Sequence, residues 1–392
     1  MFSYRDGRPF LVYCKEGKVL KKKVQHLAKP FFIIVAVMVL LFQSGCGFKD
    51  IDKRIFVLSI GIDHTKSEEK PFRVVLKLAV PSGSIKQSGT EYTYLSQESE
   101  SISTAVRDLK SQTDKELDFG HAKVIVFGEE VLHHELEEII DFFLRRRDIQ
   151  MISWVGVGQP SAESVLKAEP ESEMAGSHAL FNFFDQNGVE SSLIVTSYLF
   201  DFRRRVMETG IDPILPVLNT SEDKKRINVS RAIVVNSDKK PVELNEKQAN
   251  IYNLMGNHAD RYDVRVKNDD LNFTVAIDTS KVTFDINTDS KQKPIIKMDI
   301  EMVGIIQEAD VDTDSGKLHT YSEVTSKTIK KDVTEVLKMF QEEGLDPLGF
   351  GLRYKATRLN NNKRYEEWKE LYPKVTFEVN AKASLKSTGV IE

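Results

Sequence analysis

KVIVFGEEVLHHELEEIIDFFLRRRDIQMISWVGV, residues 123–157, decides the fold class. It opens with a short apolar run, 123–127, suited to a strand covered on both faces. Leu132, Leu136, Ile139, Ile140, Phe143 and Leu144 then fall on one face of a helix, and Arg145, Arg146 and Arg147 close it, where cations oppose the negative end of the helix dipole. Residues 151–157 return as a second apolar run. A strand, a helix and a strand in that order predict a parallel crossover of right-handed sense, so this region is α/β-like.

Outward from it, residues 54–63 and 72–80 read as strands, with Val74, Leu76, Leu78 and Val80 on one face of the latter. Ile102, Ala105, Val106 and Leu109 have helical spacing, and Ser161 caps a helix containing Val165 and Leu166. A helical stretch over 180–207 ends where Asp212-Pro213, Leu215-Pro216 and the charged run 221–226 break regularity, which places a domain boundary between 210 and 226. Beyond it, 229–235 reads as a strand, 237–240 as a turn, and Asn245 with Gln248 as a capping box opening a helix that runs to Met255. Ile296, Met298, Ile300 and Met302 alternate with Lys297, Asp299 and Glu301, giving a strand with one wet face. The longest helix is expected over 322–342, with Val324, Thr328, Val333, Val336, Leu337 and Phe340 inward and Gly344 after its end. Val375, Phe377, Val379, Ala381 and Ala383 mark a terminal amphipathic strand. The fold class is therefore α+β or mixed α/β, multidomain, with mixed sheets covered by helices; the domains are expected at 46–215 and 226–392.

With 392 residues, 41% hydrophobic and 29% charged, the chain is globular material too long for one average domain. Residues 1–45 hold eight Lys/Arg against Asp6 and Glu16; since the whole chain carries −4, the remainder has ten more acids than bases. That balance repels phosphate backbones, and no basic stripe with interleaved aromatics opposes it, which argues against nucleic acid as a partner.

The basic segment leads into FFIIVAVMVLLF, residues 31–42. Twelve residues span about 18 Å as a helix, short of the roughly 30 Å hydrocarbon core, so the run fits a signal-peptide core better than a transmembrane anchor. It ends in Gln43-Ser44-Gly45-Cys46, which resembles a lipobox, although Gln43 stands where an aliphatic residue is usual. Residues 1–45 are thus expected to be a signal peptide cleaved before Cys46, whose sulfur receives a diacylglyceryl group and holds the protein at a membrane. Cys14 lies in the removed segment, so the mature chain keeps one thiol and no intrachain disulfide.

Catalytic signatures are weak. His133-His134-Glu135 has Glu138 where a zinc helix needs a second histidine. Gly156-Val157-Gly158 follows a strand, yet Gln159-Pro160-Ser161 supplies no third glycine for a dinucleotide loop. Glu169, Glu171 and Glu173 read as solvated carboxylates, and no Gly-x-Ser-x-Gly elbow occurs. Asp346-Pro347-Leu348-Gly349-Phe350-Gly351 reads as a buried turn in preference to a binding loop. No catalytic, cofactor-binding or metal residue is expected.

Several segments, in order, carry a resemblance: Ile60-Gly61-Ile62-Asp63; residues 119–130; Trp154 before Ser161-Ala162-Glu163; residues 346–351; Trp368; Tyr372-Pro373; Val379-Asn380-Ala381-Lys382; and Ser387-Thr388-Gly389. Together they resemble the Ger(x)C family, the lipoprotein subunit of nutrient receptors in endospores; Gly47-Phe48 replaces the Trp-Asp frequent after the family's lipidated cysteine. The resemblance implies three mixed α/β domains, so that 226–392 divides near 275–290. It further implies a germinant-receptor C subunit, non-enzymatic, lipid-anchored through Cys46 at the outer face of the spore inner membrane beside the membrane-embedded A and B subunits. It leaves open whether this subunit touches the nutrient. The alternative from another class is a solute-binding lipoprotein of a transport system, which requires a ligand-sized cleft between hinged lobes.

Overall fold

The computed structural model describes residues 38, 53–80, 91–133, 136–170, 179–184, 194–236, 239–256, 262–267, 271–288, 293–310, 315–359 and 361–388. The signal segment apart from Met38, Cys46, His134, Glu135, Glu171, Glu173, Gly389 and part of the expected 237–240 turn lie outside the described residues. Lys53–Glu392 forms a compact unit.

Strand β1 (Arg54–His64) pairs antiparallel with β2 (Phe72–Val80), and β2 with β3 (Glu91–Ser99). Helix α1 (Ile102–Lys110), capped by Ser101, crosses back so that β4 (Glu116–Asp118) and β5 (Val124–Gly128) both run parallel to β1. Helix α2 (Leu136–Arg145) returns the chain to β6 (Trp154–Gln159), parallel to β5. This is the parallel strand–helix–strand connection that residues 123–157 predict, with two differences. Glu129–His133 is a 3-10 turn that buries Val131 and Leu132 ahead of the helix. The strand starts at Trp154, because the Ser153 hydroxyl bonds to the carbonyls of Ala122 and Gln150, each at 2.7 Å, and holds 150–153 as a turn.

Helices α3 (Ala162–Leu166), α4 (Ala179–Asn182) and α5 (Leu199–Met207) precede β7 (Ile214–Thr220), β8 (Ile227–Asn236) and β9 (Lys239–Leu244). The sheet order is β3-β2-β1-β5-β6-β7-β8-β9, with β4 beside β1: a parallel centre with an antiparallel wing on each side. Both faces are covered, so Val75 on the α3 side is as buried as Val74 and Leu76 opposite.

The helix ends at Met207 as expected, but Pro216 does not interrupt the strand that follows. Pro216 lies inside β7, whose parallel ladder to β6 begins only at Val217, so its missing N–H costs no bond there. The stretch 221–226 is the turn of the β7–β8 hairpin, and the first sheet runs through it.

Helix α6 (Glu246–Met255) carries the capping box read from Asn245 and Gln248. A second sheet follows: β10 (Tyr262–Lys267), β11 (Asn272–Asn287), β12 (Ile295–Ala309) and, after α7 (Leu318–Glu343), α8 (Phe350–Ala356) and α9 (Asn361–Leu371), β13 (Thr376–Leu385). Its order is β10-β11-β12-β13, antiparallel except for the final parallel pair. Ile296, Met298, Ile300 and Met302 point into its core.

Helix α7 covers this sheet with a stripe shifted by one residue from the expected one over its first half: Tyr321, Thr325 and Ile329 are buried, whereas Val324 and Thr328 are half-buried. Tyr321 sets the rotation by packing edge-on to Phe273, and Thr325 tolerates burial because its hydroxyl bonds to the Tyr321 carbonyl at 2.8 Å. The Ser322 and Ser326 hydroxyls accept the Leu385 and Ala383 N–H groups of β13 at 3.1 and 2.9 Å, covering that strand's free edge. Gly344 ends the helix in the left-handed conformation, φ 63°.

Candidate functional site

Several of the segments that carry the family resemblance gather into two buried polar knots, whereas residues 379–382 lie in β13 and Trp154 packs against Phe181, Phe184 and Tyr198. In the first, Asp63 ends β1 at the N-terminus of α3. Its two carboxylate oxygens accept the Ala162 and Glu163 N–H groups at 2.7 and 2.9 Å, while Ser161 accepts Ser164 N–H at 3.0 Å. A Cβ on Gly128 would sit 2.2 Å from Asp63 Oδ1, so only glycine admits the carboxylate there. Gly158 gives α3 the same close approach, since a Cβ would come within 2.8 Å of Val126 and 2.9 Å of the Ser161 carbonyl. Burial pushes the Asp63 carboxyl up from its ordinary value, against the pull of the two N–H groups. Lys167, then Arg73, hold the adjacent Glu163 below its usual range. Gly156, Val157 and Gly158 therefore lie within β6 and serve sheet and helix packing.

The second knot joins residues far apart in sequence. Asp212 and Asp346 exchange bonds: Asp212 N–H donates to the Asp346 carbonyl at 3.0 Å, and Asp346 N–H to Asp212 Oδ2 at 2.5 Å. Asn236 donates to the other Asp212 oxygen at 2.8 Å. The Asp346 side chain turns back on its own loop and accepts the Phe350 and Gly351 N–H groups at 2.9 and 2.7 Å. Beside the pair, the buried Arg205 guanidinium donates to Asp201, to the Asp212 and Pro347 carbonyls, and to the Tyr252 hydroxyl. Gly210, φ 90°, lies so close to Gly351 that a Cβ would meet its carbonyl carbon at 2.6 Å, and Tyr372 donates to the Leu345 carbonyl at 2.7 Å. Trp368 packs between Tyr354 and Tyr372, with ring centroids 5.1 and 5.4 Å away. Residues 346–351 are thus the buried turn that the sequence implies, with Trp368 and Tyr372 as its walls.

Burial drives the Asp346 carboxyl up to about 7; the N–H groups of Gly351 and Phe350 pull it down and the neighbouring Asp212 raises it further. The Asp63, Asp212 and Asp346 carboxylates accept backbone or asparagine N–H groups, a chemistry that fixes loops. A cavity of about 400 Å³ lies against the second knot, lined in part by Arg205, Ile211, Met298, Leu348 and Arg353. His133 and Glu169 are exposed, and among the described residues no group of three His, Cys, Asp or Glu side chains could hold a metal ion. Cys46, the expected lipidation site, is outside the described residues. Sequence reading missed Arg205, Gly210 and Asp212. The Arg203-Arg204-Arg205 run was visible, but nothing local distinguishes the buried arginine from the exposed ones.

Residues 47–220 match the family described as spore germination protein N-terminal domain, and residues 230–389 match the one described as spore germination B3/GerAC like, C-terminal. The chain is 23% identical to spore germination protein GerQC of Bacillus cereus, over 92% of this chain and 98% of that one. It is 20% identical to the putative spore germination protein YfkR of Bacillus subtilis (strain 168), over 95% and 98% respectively. The crystal structure of GerBC superposes with a TM-score of 0.54 at 16% identity, covering 83% of this chain and 96% of that one, a likeness of fold. Both halves match in order, over ranges that span the residues of both knots, so the chain belongs to the Ger(x)C family of spore germination proteins.

Proposed function

We propose that this protein is the lipid-anchored, non-enzymatic C subunit of a nutrient germinant receptor, attached through Cys46 at the outer face of the spore inner membrane beside membrane-embedded A and B subunits. The observation that carries the reading is the coincidence, in one chain, of the basic, apolar and small-residue run ending at Cys46 with family matches that begin at residue 47. Buried polar knots that tie loops together suit a rigid docking body. A solute-binding lipoprotein needs lobes that part around a ligand, and the Arg205–Asp212–Asp346 knot ties the segments that such an opening would separate.

The test is Cys46→Ala in spores. The expected outcome is a folded protein that no longer takes up labelled fatty acid and leaves the membrane fraction, with nutrient germination slowed and surfactant-triggered germination unchanged. Normal membrane retention and normal nutrient response in that strain would sink the reading.

A further inference from the structure

Among the described residues from Lys53 onward, four large apolar side chains stand well out of the surface: Ile152 at 59%, Phe200 at 48%, Met207 at 56% and Leu359 at 86% exposed. Three of the four belong together. Phe200 and Met207 are seven residues apart on α5, two turns, and so lie on one side of it. Phe200 N–H donates to the Met151 carbonyl at 3.0 Å, which sets Ile152 beside the start of that helix. Arg203, between them on the same exposed side, has no side-chain partner among the described residues. The opposite side of α5 is fixed in the protein by Leu199, Phe202 and Arg205, all buried. The helix thus turns an apolar, cationic, apolar row to solvent where a surface helix ordinarily turns polar groups.

Two observations say what covers it. The row lies at the end of the first sheet where β1 begins: Trp154 N–H donates to the Lys123 carbonyl and Lys123 N–H to that of Leu58, so the 151–152 turn is two strands, roughly 10 Å, from β1. Eight peptide steps separate Cys46 from Arg54, so covalent reach alone keeps the acyl-bearing residue within about 28 Å of that strand's start. The charge is also locally inverted. The chain beyond residue 45 holds ten more acids than bases, yet this row presents the exposed Arg203 guanidinium among apolar tips. Aromatic and aliphatic tips flanking arginine suit a helix lying in the headgroup layer of an anionic membrane.

The geometry points to Ile152, Phe200, Arg203 and Met207 as the surface that rests on an anionic lipid bilayer, fixing which end of the first sheet faces the membrane. The inference rests on the anchoring reading for proximity only. Its test uses the chain from residue 46 as Cys46→Ala, so that no acyl chain contributes, sedimented with vesicles of phosphatidylcholine alone or with about a third phosphatidylglycerol. The expected result is salt-sensitive partition onto the anionic vesicles, weakened about tenfold or more by combined Ile152→Ser, Phe200→Ser and Met207→Ser, and weakened by Arg203→Glu. Phe200→Trp should shift its emission to the blue on anionic vesicles only, against the buried Trp154 and Trp368. Equal partition of parent and triple variant overturns the inference. So does an absence of vesicle binding together with loss of a membrane-protein partner in the triple variant, which would assign the row to protein. Because Cys46 is already replaced, an unlipidated Cys46 in spores would overturn the anchoring reading and leave this measurement standing.

Discussion

Arg205 is the side chain on which the second knot depends. Removing it takes the guanidinium from the Pro347 carbonyl and the Tyr252 hydroxyl in a buried site and leaves Asp201 only its bonds from Arg204, so Arg205→Ala should cost about 3–5 kcal/mol of unfolding free energy by denaturant titration. Arg205→Lys should recover only part of this, since one ammonium cannot span donors that reach four groups. Asp346 makes a different, pH-dependent contribution. Its folded value, about 7, lies above its ordinary 3.8, so the folded state holds a proton that the unfolded chain releases. That contribution is fully present below about pH 4 and lost as pH rises through 7, a change on the order of 4 kcal/mol. Denaturation midpoints of the wild type should therefore fall between pH 4 and 7, and those of Asp346→Asn should fall less; parallel profiles would refute the assignment. None of this was legible from residues 346–351 alone. The two glycines and the proline announce a fixed turn, but the partner that buries its carboxylate, Asp212, lies 134 positions away, and no local pattern reports it.

Elements were more readable than their partners. The Asn245–Gln248 box appears as its spacing implies because both of its bonds are local: Asn245 accepts Gln248 N–H at 3.0 Å and Gln248 accepts Asn245 N–H at 2.9 Å. Asn245→Ala should lower stability by about 1 kcal/mol, detectable as a small shift in Tm with an unchanged spectrum. The strands of 123–157 and 295–303 were equally legible, since burial on one or both faces writes itself into the alternation of side chains. Two elements were not. Pro216 reads as a breaker, and only the register that starts the parallel ladder at Val217 makes it harmless. In α7 the spacing admits two neighbouring stripes, and the choice between Val324 and Thr325 is made by Tyr321 against Phe273, a contact across the sheet that periodicity does not contain.

At the scale of the whole molecule, the chain is expected in sequence as two pieces meeting between 210 and 226, and the two family matches part between 220 and 230, while one sheet continues across that stretch into β8 and β9. A fragment of residues 53–225 would expose the outer edge of β7 and leave Asp212 and Arg205 without Asp346 and the Pro347 carbonyl. It should be recovered aggregated, whereas one extended to residue 388 should be soluble and unfold in a single transition, as followed by circular dichroism and light scattering. The placement of β1 has a consequence for biogenesis. Among the described residues it is the first strand made, yet its parallel neighbour β5 ends at Gly128 and the lock on the second knot arrives only with residues 345–352. During synthesis, an early strand must wait with an open flank while more than half of the molecule is still to come, so a holding factor that shields the nascent chain should raise the yield of native protein more than faster elongation would.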